Sequence, residues 1–156
     1  AVWAAEQGWD VSSFDMSATG VAKAGQLASS RGVSIEAVTA DAMEVNHGAS
    51  FDVVGLIFAH MPPDVRSAFH ARAWSWVKPG GRLLVEGFHV DQLGLASGGP
   101  KVPDMLFDAT TMHKDLDLDH GRILWNARCE QVLDEGPFHQ GPAVTSQWVI
   151  EKEKKT

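Results

Sequence analysis

The sequence of 156 residues is 44% hydrophobic and 21% charged, the balance of one soluble globular domain with its own core. A net charge of −7 disfavours a nucleic-acid partner, because phosphate binding needs a concentrated basic surface. The longest apolar run, Val53–Ala59, falls far short of the roughly 20 residues of a membrane helix, and the single Cys129 calls for no oxidising compartment, so a cytoplasmic protein is expected. The opening residues show no basic region ahead of an apolar one, as a signal peptide would. At the tail, Lys152, Lys154 and Lys155 are interrupted by glutamates and read as a solvated end.

In chain order, alanine-rich Ala1–Gln7 reads as the back half of a helix, with Gly8 where a left-handed cap is expected. Trp9–Phe14 reads as a strand ending at Asp15. Ser17 is the N-cap of a helix reaching Arg31, with Val21, Ala24, Leu27 and Ala28 as its apolar stripe. A strand at Val33–Thr39 stops at Ala40-Asp41. Phe51–Phe58 is nearly continuously apolar, the pattern of a strand buried on both faces. Pro62-Pro63 precede a helix from Asp64 to about Trp76, with Val65, Phe69, Ala73 and Trp76 on one face. Trp74 and Trp76 do not share a helical face, so one of them is expected to be exposed or covered by a partner. Lys78-Pro79-Gly80-Gly81 is a sharp turn before a strand at Arg82–Phe88. Residues 90–113 read as an irregular loop, with a short helix around Thr110–Asp115. Gly121–Leu133 and Ala143–Lys152 form a closing hairpin. Helices alternating with strands predict an α/β domain with a mostly parallel sheet, finished by an antiparallel pair.

In open parallel sheets ligands sit beyond the carboxyl ends of strands. Asp15 stands at one such end, where a carboxylate accepts hydrogen bonds from both hydroxyls of a ribose. Asp41, at the next, is suited to an exocyclic adenine amine, and Met16 to packing on the base. Either aspartate alone is equally a cap or turn residue; together, at successive strand ends, they favour a nucleoside site.

Trp9–Ser17, Ala40-Asp41-Ala42, Phe51-Asp52-Val53-Val54 and Val77-Lys78-Pro79-Gly80-Gly81 resemble the successive motifs of class I S-adenosylmethionine-dependent methyltransferases. His60-Met61-Pro62-Pro63 and Gly98-Gly99-Pro100-Lys101 resemble the bacterial branch related to tellurite-resistance methyltransferases. The resemblance implies a Rossmann-like fold, S-adenosylmethionine as cofactor and a small-molecule methyl acceptor. Asp15 would bind the ribose, Met16 the adenine and Asp41 its amine, with Ala42 offering its backbone. Phe58, Ala59 and His60 would line the methionine end and the transfer site.

The family's glycine-rich loop is not found. An acidic ribose ligand falls about 20 residues after such a loop begins, and counting back from Asp15 lands just before residue 1. The expectation is therefore a single methyltransferase domain over residues 1–156, N-terminally incomplete, its first strand and glycine loop lying upstream. That strand would sit between Trp9–Phe14 and Phe51–Phe58, supplied from upstream or exchanged with a second copy in a homodimer.

Methyl transfer from a sulfonium depends on alignment and water exclusion, and needs a base only when the acceptor arrives protonated. His60 is the candidate base; the alternative is that it lines the pocket or caps the Pro62-Pro63 turn. His89 is a candidate substrate contact, and the loop from Gly98 and Gly99 to Asp104 either closes over the acceptor or is static. The histidines show no ligand pairing, so no metal is expected. The rival readings are a nicotinamide-dependent dehydrogenase fragment, against which the closing hairpin weighs, and a non-catalytic remnant serving assembly.

Overall fold

The computed structural model describes residues 1–154, which excludes the predicted tail residue Lys155, and the chain divides into two compact units, Ala1–Asn46 and His47 onward. The first runs α1 (Val2–Glu6), β1 (Ser12–Asp15), α2 (Ala18–Ser30) and β2 (Glu36–Thr39). Gly8, at φ +88°, ends α1 as anticipated, with the Trp9 amide donating to the Ala4 carbonyl at 3.1 Å. The Ser17 hydroxyl caps α2, accepting from the Gly20 amide at 3.1 Å. Along that helix Ala28 is buried, but Leu27 stays 48% exposed. β1 and β2 pair in parallel, Ser12 opposite Glu36 and Asp15 opposite Thr39. Both are shorter than the apolar pattern suggested, because their ladder begins only where the Glu36 amide reaches the Val11 carbonyl.

The second unit runs β3 (Phe51–Ile57), α3 (Pro63–Trp76), β4 (Val77–Phe88), 3-10 turns at Val90–Gln92 and Pro103–Met105, α4 (Ala109–Asp115), β5 (Gly121–Asp134) and β6 (Gln140–Lys152). Its sheet has the order β3-β4-β6-β5; β3 and β4 are parallel, while β6 is antiparallel to both β4 and β5. This is the α/β class the sequence predicted, with parallel pairs and an antiparallel close. Phe69, Val77, Leu83, Phe107, Met112 and Ile150 form the most deeply buried layer, each at most 1% exposed. No helix among the described residues is long and apolar enough to cross a membrane.

Four local expectations change. β3 buries one face only: Val54 and Leu56 are covered, whereas Gly55 is exposed and Ile57 is 57% exposed. β4 begins at Val77 rather than Arg82, because Lys78–Gly81 form a bulge within the strand and not a separate turn. Gly81 is required there, since a Cβ would sit 2.7 Å from the Asp52 carbonyl. Trp74 and Trp76 are both buried; the Trp74 indole donates to the Asp119 carbonyl at 2.9 Å, so a second surface of the same unit covers the other side of the helix. Lys152 is no solvated tail residue. Its ammonium donates to the carbonyls of Trp74 and Val77 at 2.9 and 3.0 Å; the Trp74 carbonyl also accepts the backbone amide at the C-cap of α3, so the ammonium takes its second lone pair.

Candidate functional site

Parallel pairing places the carboxyl ends of β1 and β2 side by side, about 4.8 Å apart. The Ala40 amide donates to the Asp15 carbonyl at 3.1 Å, carrying the ladder one residue beyond the strands. Asp15 and Asp41 therefore leave neighbouring strands at the same end. Each commits one oxygen locally: Asp15 Oδ1 accepts from the Ser17 amide and Asp41 Oδ1 from the Met43 amide, both at 2.8 Å. These side-chain turns are the structural role of the two aspartates, and they engage only one oxygen of each. Asp15 Oδ2 lies toward Gly20, whose Cβ, if present, would be 3.6 Å away. Met16 beside it is 71% exposed, a free apolar surface at the strand end, and Ala42 is buried.

The turn after β3 holds the second group. Phe58 has φ +52°, a left-handed conformation that is an outlier for a bulky residue and costs of order 1–3 kcal/mol. The surroundings impose it. The Phe58 amide donates to the Glu86 carbonyl at 2.7 Å, the His60 amide to the Phe58 carbonyl at 3.0 Å, and the Phe58 ring packs 4.9 Å from that of Phe88. Ala59, next in the turn, is half-buried.

His60 is committed at both ring nitrogens. Nδ1 lies 2.8 Å from the Met105 carbonyl, and Nε2 accepts from the Phe88 amide at 2.9 Å. A carbonyl only accepts and an amide only donates, so the ring is neutral with its proton on Nδ1. Burial holds its pKa below the ordinary histidine value; the Met105 bond opposes this and the nearby Arg66 charge adds to it. The base nitrogen is thus already occupied by the protein, which argues against the expected role of His60 as a general base.

The other candidates are also engaged. His89 Nδ1 accepts from the Asp91 amide at 3.1 Å and lies 3.4 Å from the Asp91 carboxylate, capping the 3-10 turn. Gly98 and Gly99 have φ +111° and +88°, and a Cβ would come within 2.5 Å of His139 or 2.7 Å of Phe88. Glycine here permits close packing of the loop rather than its movement. Buried Gln92 locks the same loop: its amide donates to the Ser97 hydroxyl and the Gly98 carbonyl, while its oxygen accepts from the Val144 amide.

The sequence reading missed Arg66. Its side chain is buried and ion-paired with Asp115, and it donates to the Asp104 carbonyl at 2.6 Å. His70, one turn on, is fully buried. The signal was present: Arg66 and His70 flank Phe69 at helical spacing, and a buried face drawn through Phe69 and Ala73 includes both. Arg66 forms part of the wall of a cleft of about 280 Å³ with Pro63, Val90, Asp104, Asp108 and Thr111. These residues follow β3 and β4, the ends at which such sheets bind ligands.

Residues 1–81 match the family described as methyltransferase domain. No curated protein matches. Solved structures similar in fold include a protein associated with conversion of a disulfide bond into a thioacetal group during echinomycin biosynthesis (16% identity, TM-score 0.75, covering 99% of this chain and 71% of that one). TehB from Haemophilus influenzae is 13% identical with TM-score 0.74, covering 98% of this chain and 53% of that one, so the chain spans about half its length. The 1,6-didemethyltoxoflavin-N1-methyltransferase of Burkholderia thailandensis, solved with 1,6-didemethyltoxoflavin and S-adenosylhomocysteine, is 19% identical with TM-score 0.67, covering 96% of this chain and 64% of that one. With more than half of its residues matched and the fold shared along nearly its whole length, the chain belongs to the methyltransferase domain family.

Proposed function

We propose that the chain is one methyltransferase domain that takes a methyl group from S-adenosylmethionine and passes it to a small-molecule acceptor by in-line displacement. The observation that carries this reading is that Asp15 and Asp41 both stand at the carboxyl end of one parallel strand pair, Asp15 opposite Thr39 and Asp41 two residues further on, each with one oxygen outside its turn bond. Asp15 binds the ribose hydroxyls and Asp41 the adenine amine, with Met16 against the base and the Ala42 backbone beside it. The cofactor seen in the Burkholderia thailandensis enzyme supports the same donor.

The cofactor supplies a methyl group on a positively charged sulfur. Bound there, the donor would offer its methyl carbon to the acceptor's electron pair, with the electrons of the carbon–sulfur bond left on a neutral thioether. The protein's part is to align the two and to exclude water. Phe58 and Ala59 belong to the transfer site, and His60 acts there through position rather than as a base, because its Nε2 lone pair is bonded to the Phe88 amide. His89, Gly98 and Gly99 shape the acceptor side from positions held by hydrogen bonding and packing.

Calorimetric titration with S-adenosylhomocysteine tests the reading. Binding is expected to the protein, with NAD binding far more weakly. Asp15→Asn keeps the turn acceptor but removes the charge, and loses about tenfold in affinity, the value of about 1.4 kcal/mol. No binding of S-adenosylhomocysteine, or equal binding of NAD, rules the reading out.

A further inference from the structure

We propose that His60 is a positioning residue, a clamp that fixes the acceptor-facing wall of the methyl-transfer site; this rests on the methyl-transfer reading above. Three segments meet at its ring. The ring leaves the turn after β3, receives the Phe88 amide at the end of β4, and donates to Met105 in the second 3-10 turn. The neighbouring carbonyl, that of Asp104, is held by Arg66 from α3. Two successive carbonyls of one loop are therefore gripped by two side chains from the β3–α3 connection and the helix that follows it.

The packing around the ring is equally committed. Phe107 lies 4.6 Å from it, and Phe88 is nearly parallel to it at 5.8 Å. The Phe107 amide donates to the Phe88 carbonyl at 2.9 Å, continuing the grip to the far side of the loop. Gly87 is what lets the rings approach β4: a Cβ there would be 2.3 Å from Phe107 and 3.0 Å from His60. Asp104 and Leu106, which flank Met105, line the cleft beyond β3 and β4. Holding Met105 thus sets where that cleft wall stands before any acceptor arrives, so that binding need not pay to order a loop.

Two measurements test the clamp. Long-range proton–nitrogen spectra of the native protein near pH 7.5 should show His60 protonated at Nδ1 and bare at Nε2; a ring protonated at Nε2, or averaging two tautomers, overturns the proposal. Amide exchange is then compared in His60→Gln, His60→Asn and His60→Ala. Glutamine offers an acceptor near the Nε2 position, so Phe88 should stay protected while residues 105–107 exchange at least tenfold faster. Asparagine offers a donor near the Nδ1 position and should reverse that pattern, and alanine should release both. A uniform rise across β3, β4 and β6 in every variant would mean general destabilisation and overturn the clamp. Failure of the native protein to bind S-adenosylhomocysteine would sink the methyl-donor reading, and the tautomer result would still decide whether the clamp exists.

Discussion

His70 gives the chain a calculable sensitivity to acid. It is fully buried, and neither ring nitrogen has a hydrogen-bond partner among the described residues. Asp115 Oδ2 is 3.9 Å from Nδ1 but is bound to Arg66. Burial pushes the pKa of His70 down from 6.5 to about 4; Asp115 pulls it up, and Arg66 pushes it further down. The folded protein therefore keeps the ring neutral in a range where the unfolded chain has bound a proton. Stability from this group is complete above about pH 6.5, falls as pH is lowered through the window to 4, and is lost below it. At 1.36 kcal/mol per unit, the full loss is about 3.4 kcal/mol. Urea unfolding of the native protein and of His70→Leu, from pH 7.5 to pH 4, isolates the effect as the difference between two curves. The leucine variant should be neutral or slightly stabilised at pH 7.5, since it removes two unsatisfied polar atoms from the core. It should gain on the native protein by up to about 3 kcal/mol as pH falls. Parallel curves would refute the argument, because they would mean that His70 carries the same charge folded and unfolded.

Further outcomes follow from individual contacts. Gly87→Ala, which drives a methyl into the Phe107 ring, should cost about 3 kcal/mol in urea unfolding; a cost under about 1 would show that the aromatic cluster moves aside freely. Gln92→Leu strands the Val144 amide and the Gly98 carbonyl and should cost about 3 kcal/mol, with faster proteolysis in residues 93–102; an unchanged cleavage pattern would contradict its role as a lock. Lys152→Met removes a charged donor from two carbonyls at the end of α3 and should lower stability by about 2 kcal/mol. If Lys152→Met unfolds with the native midpoint, the ammonium contributes nothing to these carbonyls, of which that of Trp74 keeps the C-cap amide.

Much of the local structure was readable because it depends on neighbours in sequence. Gly8 ending α1, Ser17 capping α2 and the β5–β6 hairpin are set by dihedral freedom, short-range hydrogen bonding and apolar alternation. The pairing of Asp15 with Asp41 was legible for a related reason. A parallel strand–helix–strand unit returns the chain to the same end, so two strand termini about 25 residues apart emerge on the same side of the sheet. Long-range contacts were not legible. Nothing near Lys152 in sequence announces the two carbonyls it would find some 75 residues earlier, and nothing beside His60 announces Met105 or Phe88.

The sequence by itself determined the α/β class, the chain order of its elements and the two acidic strand ends, since each follows from periodicity and from the few connections a parallel sheet allows. Tertiary structure alone decided what the histidines do. A ring's hydrogen-bond partners set its tautomer and burial sets its charge, and both depend on groups that folding brings together. His60 became a clamp because an amide and a carbonyl from two distant segments face its two nitrogens. His70 became an acid-sensitive weak point because it is buried with no hydrogen-bond partner for either nitrogen among the described residues.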